Sequence, residues 1–139
     1  MFEVRPVDTW TAVVENRVGG LRDLLAQLAQ AGANLEVIVS RRGHDAKHGV
    51  LFVAPIVGDA QVAVAERIGL RRASSLHTLR VSGLDEPGVA YLLAHALAQE
   101  GLNVRGFSAA TLGPRMVIYI AFDSAEDAAR AMTRLRSPL

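Results

Sequence analysis

Two hydrophobic periods alternate along this chain, and the alternation occurs twice. Residues 9–14, Thr-Trp-Thr-Ala-Val-Val, are β-branched and aromatic and predict a strand. Glu15, Asn16, Arg17, Val18, Gly19 and Gly20 follow as a turn, with two glycines free to take a positive φ or to sit against other backbone. Leu21, Leu24, Leu25 and Leu28 then recur at i, i+3, i+4 and i+7, the period of a helix with one buried face, and Gly32 stands where such a helix stops. Residues 34–41 predict a second strand. The polar stretch 42–47 turns the chain into a third, 49–54, which Pro55 and Gly58 end. A second helix is predicted over 59–68 and a short fourth strand over 70–74. The order is βαββαβ.

The same order begins again at Leu76. Residues 76–82 predict a strand, and Asp85-Glu86-Pro87-Gly88 a turn. Val89, Leu92, Leu93, Ala96 and Leu97 mark a helix face, and Gly101 closes it. Strands are predicted over 103–111 and 115–122. A last helix carries Ala125, Ala128, Ala129, Met132 and Leu135. Four residues remain after Leu135, so the final strand of the second unit is expected to be very short or absent.

Gly19 and Gly88, Leu24 and Leu93, Leu28 and Leu97, Gly32 and Gly101, and Asn34 and Asn103 are all 69 positions apart. One offset shared by turn glycines, core leucines and an asparagine predicts two homologous units, residues 1–74 and 75–139, and not a solenoid, which needs more repeats to bury a core. Units of this size are marginally stable alone.

Composition narrows the function more than it identifies it. Of 139 residues, 50% are hydrophobic and 21% charged, enough for a core. The formal net charge of +1 lacks the dense cationic patch that a phosphate backbone requires, so nucleic acid is not expected as a partner. An RNA-binding ferredoxin-like sheet would need aromatics on its central strands, and in the second unit only Phe107 and Tyr119 are available. The absence of cysteine excludes disulfides, thiolate metal sites and a cysteine nucleophile. No apolar run is long enough to span a bilayer, and the first residues do not read as a signal peptide, so a soluble cytoplasmic protein is expected. No nucleophile–base motif and no glycine-rich phosphate loop is present, so no catalytic residue and no cofactor is expected. His44, Asp45 and His48 are read as solvated loop residues and no metal site is expected. His77, His95 and Trp10 are read as packing or interface residues.

A βαββαβ unit that opens with Glu-Asn-Arg-Val-Gly-Gly-Leu and passes from its helix through Ala-Gly-Ala-Asn-Leu resembles the ACT domain family of small-molecule regulatory modules. The second copy, with Asp85-Glu86-Pro87-Gly88-Val89 and Glu100-Gly101-Leu102-Asn103-Val104, is similar too and nearer the family's usual Pro-Gly form. The resemblance covers about residues 8–136. It implies an α+β protein of two ferredoxin-like ACT domains in tandem, each an antiparallel sheet with helices on one face. It also implies pairing, as a homodimer, and an amino acid or similar metabolite bound between the strand–helix turn of one domain and a neighbouring domain's strand.

Carried across residue by residue, the resemblance nominates Asn16, Arg17, Val18, Gly19, Gly20, Asn34 and Leu35 as the ligand site. Asp85, Pro87, Gly88 and Asn103 are the second unit's equivalents. An amide both accepts from an ammonium group and donates to a carboxylate. Asp85 cannot donate when ionised and would repel a carboxylate, so the first unit is favoured. Asn16 and Asp85 also have an ordinary reading, as helix caps or Asx turns. The function implied is a non-catalytic regulatory module. The alternative is a ligand-independent interaction module for a metabolic enzyme, suggested by the low polarity of residues 101–110 and the missing final strand.

Overall fold

The computed structural model describes residues 2–139. It contains β1 (Glu3–Val7), β2 (Trp10–Glu15), α1 (Gly20–Gln30), β3 (Val37–Arg42), β4 (His48–Ala54), α2 (Gly58–Arg67) and β5 (Arg71–Arg72). The second half contains β6 (His77–Leu84), α3 (Val89–Gln99), β7 (Gly106–Leu112), β8 (Arg115–Phe122) and α4 (Ala125–Arg136). These form two compact units, each with a four-stranded antiparallel sheet in the ferredoxin-like order.

The first unit, Asp8–Ala73, has strand order β3-β4-β2-β5. Register sets Trp10 beside Val53, and Ala12 beside Leu51. These residues share one face because side chains alternate along a strand. That face is the buried one, and Leu28 of α1, Ala65 of α2 and Leu70 pack on it. Trp10 is core, as its sequence context suggests, and the Arg72 guanidinium lies 5.1 Å from its ring centroid.

The second unit corrects the expected boundaries. Its sheet runs β1-β6-β8-β7, and β1 pairs antiparallel with β6 from Glu3↔Ser82 to Val7↔Thr78. The strand expected to be absent after α4 is therefore supplied by the segment that precedes the first unit. The stretch through Val7 belongs with Ser74–Leu139 and not with residues 8–73. Val4 sits across from Val81 in the core, which Leu93, Leu97, Ile118, Ile120, Phe122 and Leu135 also build. Pro6 is tolerated because β1 is an edge strand, where a missing N–H need not break a ladder.

α4 holds β1 from the helix side. Its N-cap Ser124 accepts from the Asp127 N–H at 3.1 Å, and Glu126 and Asp127 in the first turn with Arg134 and Arg136 in the last complement the helix dipole. Arg136 donates to the Val4 carbonyl from Nη2 at 2.8 Å and from Nε at 3.2 Å. The buried face of α4 is Ala128, Ala131 and Leu135, so Ala125 and Ala129 of the expected face are exposed.

Two methyl groups of Val4 fill core space, and their removal in Val4→Ala should cost the unit containing β6 about 2 kcal/mol. Hydrogen exchange of the β6 amides reads this. Unchanged protection of Leu79–Ser82 in the variant would contradict the role given to β1.

Candidate functional site

The two strand–helix turns have the same backbone. Gly19 has φ 83° and ψ 0°, and Gly88 has φ 85° and ψ 1°. The Gly20 N–H donates to Arg17 O and the Asp23 N–H to Gly19 O. At the same offset, Val89 donates to Glu86 O and Leu92 to Gly88 O. Both glycines lie in the left-handed region that other residues rarely occupy. Gly20 is constrained differently, since a Cβ there would lie 2.5 Å from Glu15 O. At the first turn, the N–H groups of Val18, Gly19, Leu21 and Arg22 have no acceptor among the described residues. These free donors at the positive end of α1 form an anion-accepting surface.

Neither polar turn residue caps its helix: the N-caps are Gly19 and Gly88, and neither has a side-chain bond. Asn16 instead reaches the β3–β4 hairpin. Its N–H donates to Lys47 O at 2.8 Å and its Nδ2 to Ala46 O at 2.7 Å. A carbonyl partner fixes which end of the amide faces the hairpin, and it leaves Oδ1 as an open acceptor. Asp85 shares the backbone bond, to Pro114 O at 2.9 Å, but has no amide to donate.

Arg17 is engaged internally. Its Nε bonds Glu15 at 2.8 Å and its Nη2 bonds Asp23 at 2.8 Å, tying the turn to the first turn of α1. These bonds raise the Arg17 pKa, Asp23 first and Glu15 second. The Arg17 and then the Arg22 guanidinium hold the Asp23 carboxyl below its ordinary value. Val18 is fully exposed.

Asn34 and Leu35 lie elsewhere. Asn16 follows Glu15, which pairs with His48, whereas residues 34 and 35 precede Glu36, whose N–H bonds Ala54 O at the other end of the sheet. The five steps of strand between Trp10 and Glu15 put about 17 Å between those levels. Asn34 is exposed and Leu35 packs against the core. Asn103 is exposed in the matching place of the second unit. The unit does not bring Asn16 and Asn34 together.

Beside the first turn is a cavity of about 280 Å³ bordered by Asn16, Arg17, Ser40, Arg41 and Arg42. Arg41 and Arg42 are the last two residues of β3. Register places them at the turn, because Arg42 pairs with Gly49, one step from the Glu15–His48 pair. The second turn borders a larger and more apolar groove, about 470 Å³, with Phe2, Leu84, Pro87, Tyr91 and Leu92.

The remaining candidates have structural roles. Asp45 accepts from the Lys47 and His48 N–H groups at 2.9 and 2.8 Å and faces the His48 ring. The His48 ring, then the Lys47 N–H, lowers its pKa. No group of three metal-ligating side chains occurs among the described residues. His95 stacks on Tyr91 at 5.6 Å. Phe107 pairs with Ile120 and Tyr119 with Ser108, so the two aromatics point to opposite faces and cannot form one base-stacking platform. No helix among the described residues is long and apolar enough to cross a membrane.

No family model and no curated protein matches the chain. Among solved structures, a protein from Bacteroides thetaiotaomicron superposes with a TM-score of 0.80 at 14% identity, over 96% of this chain and 90% of the other. The regulatory subunit of aspartate kinase from Thermus thermophilus, in a ligand-free form, gives 0.63 at 16% identity over 98% and 97%. Aspartate kinase from Clostridium acetobutylicum, an allosteric enzyme, gives 0.60 at 16% identity. There the chain spans 96% of itself and 34% of the kinase. At these identities the likeness is one of fold.

Two outcomes follow from the turn geometry. Gly20→Ala should destabilise the first unit by about 1–3 kcal/mol, because the new methyl group meets a backbone oxygen; an unchanged urea midpoint would contradict this. Asp23 has a depressed folded-state pKa, so its stabilisation is complete above the unfolded value of about 3.9 and is lost as pH falls through the lower folded value. Asp23→Asn should flatten the acid limb of the stability profile below about pH 4, measured by denaturation across pH.

Proposed function

With two ACT-type units as its fold, we propose that this chain is a non-catalytic regulatory module that binds an amino acid at the first strand–helix turn. The observation that carries the reading is that this one turn holds four open N–H donors and the unoccupied Oδ1 of Asn16. The donors suit an α-carboxylate, and the amide oxygen suits an α-ammonium group. Gly19 and Gly20 allow the ligand to approach the backbone. The likeness of fold to the kinase regulatory subunit and to the allosteric kinase supports a regulatory role.

The working form in this reading is a cytoplasmic homodimer. Asn34 is remote from Asn16 within the unit, so a second copy would supply it. β3 and β7 each end their sheets and leave one strand edge without a partner in their own unit. Ligand acts by favouring one packing of the two copies over another.

Asn16→Ala alone does not test the site, because it also cuts the tie to Ala46. Thermal melts and calorimetry against the twenty amino acids do test it. Ligand at 100 times Kd adds about 2.7 kcal/mol, a shift of a few degrees in Tm for a domain of this size. No shift and no heat with any of them would remove the amino-acid reading.

The second reading is a ligand-independent module for a metabolic enzyme, favoured by the exposed Leu84, Tyr91 and Leu92 around the apolar groove. Under it, Tyr91→Glu abolishes co-purification with one enzyme while amino acids leave the melt unchanged.

A further inference from the structure

The chemistry around the first cavity goes beyond what binding any amino acid requires. Arg17 is neutralised where it stands, with Glu15 and Asp23 each at 2.8 Å. Arg41 and Arg42 are not: both are exposed, and neither has a carboxylate or hydrogen-bond partner among the described residues. Consecutive residues of a strand point to opposite faces. At the open end of β3 both still border the cavity, and Ser40 shares the face of Arg42. In the neighbouring hairpin the Asp45 carboxylate is already held by backbone N–H groups and His48.

The repeat supplies an internal comparison. At the 69-residue offset, Ser40, Arg41 and Arg42 become Ala109, Ala110 and Thr111. The second groove has one charged side chain on its border, Glu86. Duplicated backbone geometry therefore carries two different linings, and only the first has two uncommitted arginines on its border. A pair of guanidinium groups recognises a carboxylate through paired N–H donors, which gives direction as well as charge.

We propose that the first site selects an amino acid with an acidic side chain, whose second carboxylate is held by Arg41 and Arg42. This rests on the amino-acid reading of the turn. The α-carboxylate takes the open N–H groups of Val18, Gly19 and Leu21, and the ammonium takes Asn16 Oδ1. The side-chain carboxylate extends past Ser40 to the arginine pair.

Calorimetry on the full chain tests the selection with L-glutamate and L-aspartate against L-glutamine and L-asparagine, and with glutarate and inorganic phosphate as anions lacking the ammonium. The acid of at least one pair should bind about tenfold tighter than its amide, and the preference should shrink as ionic strength rises. Arg41→Gln with Arg42→Gln should equalise acid and amide, whereas Arg41→Lys with Arg42→Lys should keep part of the preference. Both arginines are exposed, and an unchanged melt followed through Trp10 shows that the variants are folded. Amides binding as tightly as acids would overturn the charge selection and leave the site standing. Phosphate or glutarate matching glutamate would reduce the arginine pair to a general anion site and overturn the proposal. Failure of all four amino acids and of every other amino acid would remove the site reading itself.

Discussion

The C-terminal unit depends on the hydrogen-bonding demand of one strand. β6 lies inside its sheet, with all eight residues paired to β8 on one side. Its other side also presents N–H and C=O groups, and a buried group without a partner costs about as much as a lost hydrogen bond. In the N-terminal unit the corresponding side of β2 is met by β5, two residues long, which follows directly from α2. Among the described residues no strand follows α4. β1 meets the demand with five residues, and the Arg136 contacts to the Val4 carbonyl fix it to the helix that fails to lead into a strand.

Much of this was legible in the sequence, and the part that was not has a physical reason. The alternation of strand and helix periods located both helices α1 and α3, and the shared 69-residue offset reappears as matched turn bonds and glycine angles. β1 escaped notice because Glu-Val-Arg-Pro-Val carries two charges and a proline in five residues. Its pattern is that of an edge strand, and edges tolerate the residues that mark a strand as unlikely elsewhere. Its partner lies more than seventy positions away, which no local period reveals. Leu92 shows the converse: it is in phase with the α3 face but about 40% exposed, because a wide apolar stripe exceeds what one sheet covers.

The candidate site was legible as a place and less so as a composition. Two glycines and an asparagine after a strand mark a turn, and the structure confirms the turn. What Asn16 and Arg17 do there depends on the hairpin and on α1, whose contacts are tertiary. Nothing in the local pattern ties Arg41 and Arg42 to the turn; register sets them beside it. The hairpin lengths separate the two copies further. The longer β3–β4 loop brings Ala46 within reach of Asn16, whereas the tight β7–β8 turn presents only the Pro114 carbonyl to Asp85.

The placement of β1 also bears on the order of events during synthesis. Asp8–Ala73 is continuous in sequence and has all its strands once β5 is made. β1 emerges before it but has no strand to join until β6 follows. At roughly 5–20 residues per second, that wait is on the order of 5–15 s. Throughout it, a short segment with one proline and two charges is tethered to a unit whose sheet and core do not include it. Those same residues make a premature strand pairing unattractive, so the composition that hid β1 from sequence reading suits it to waiting in solution.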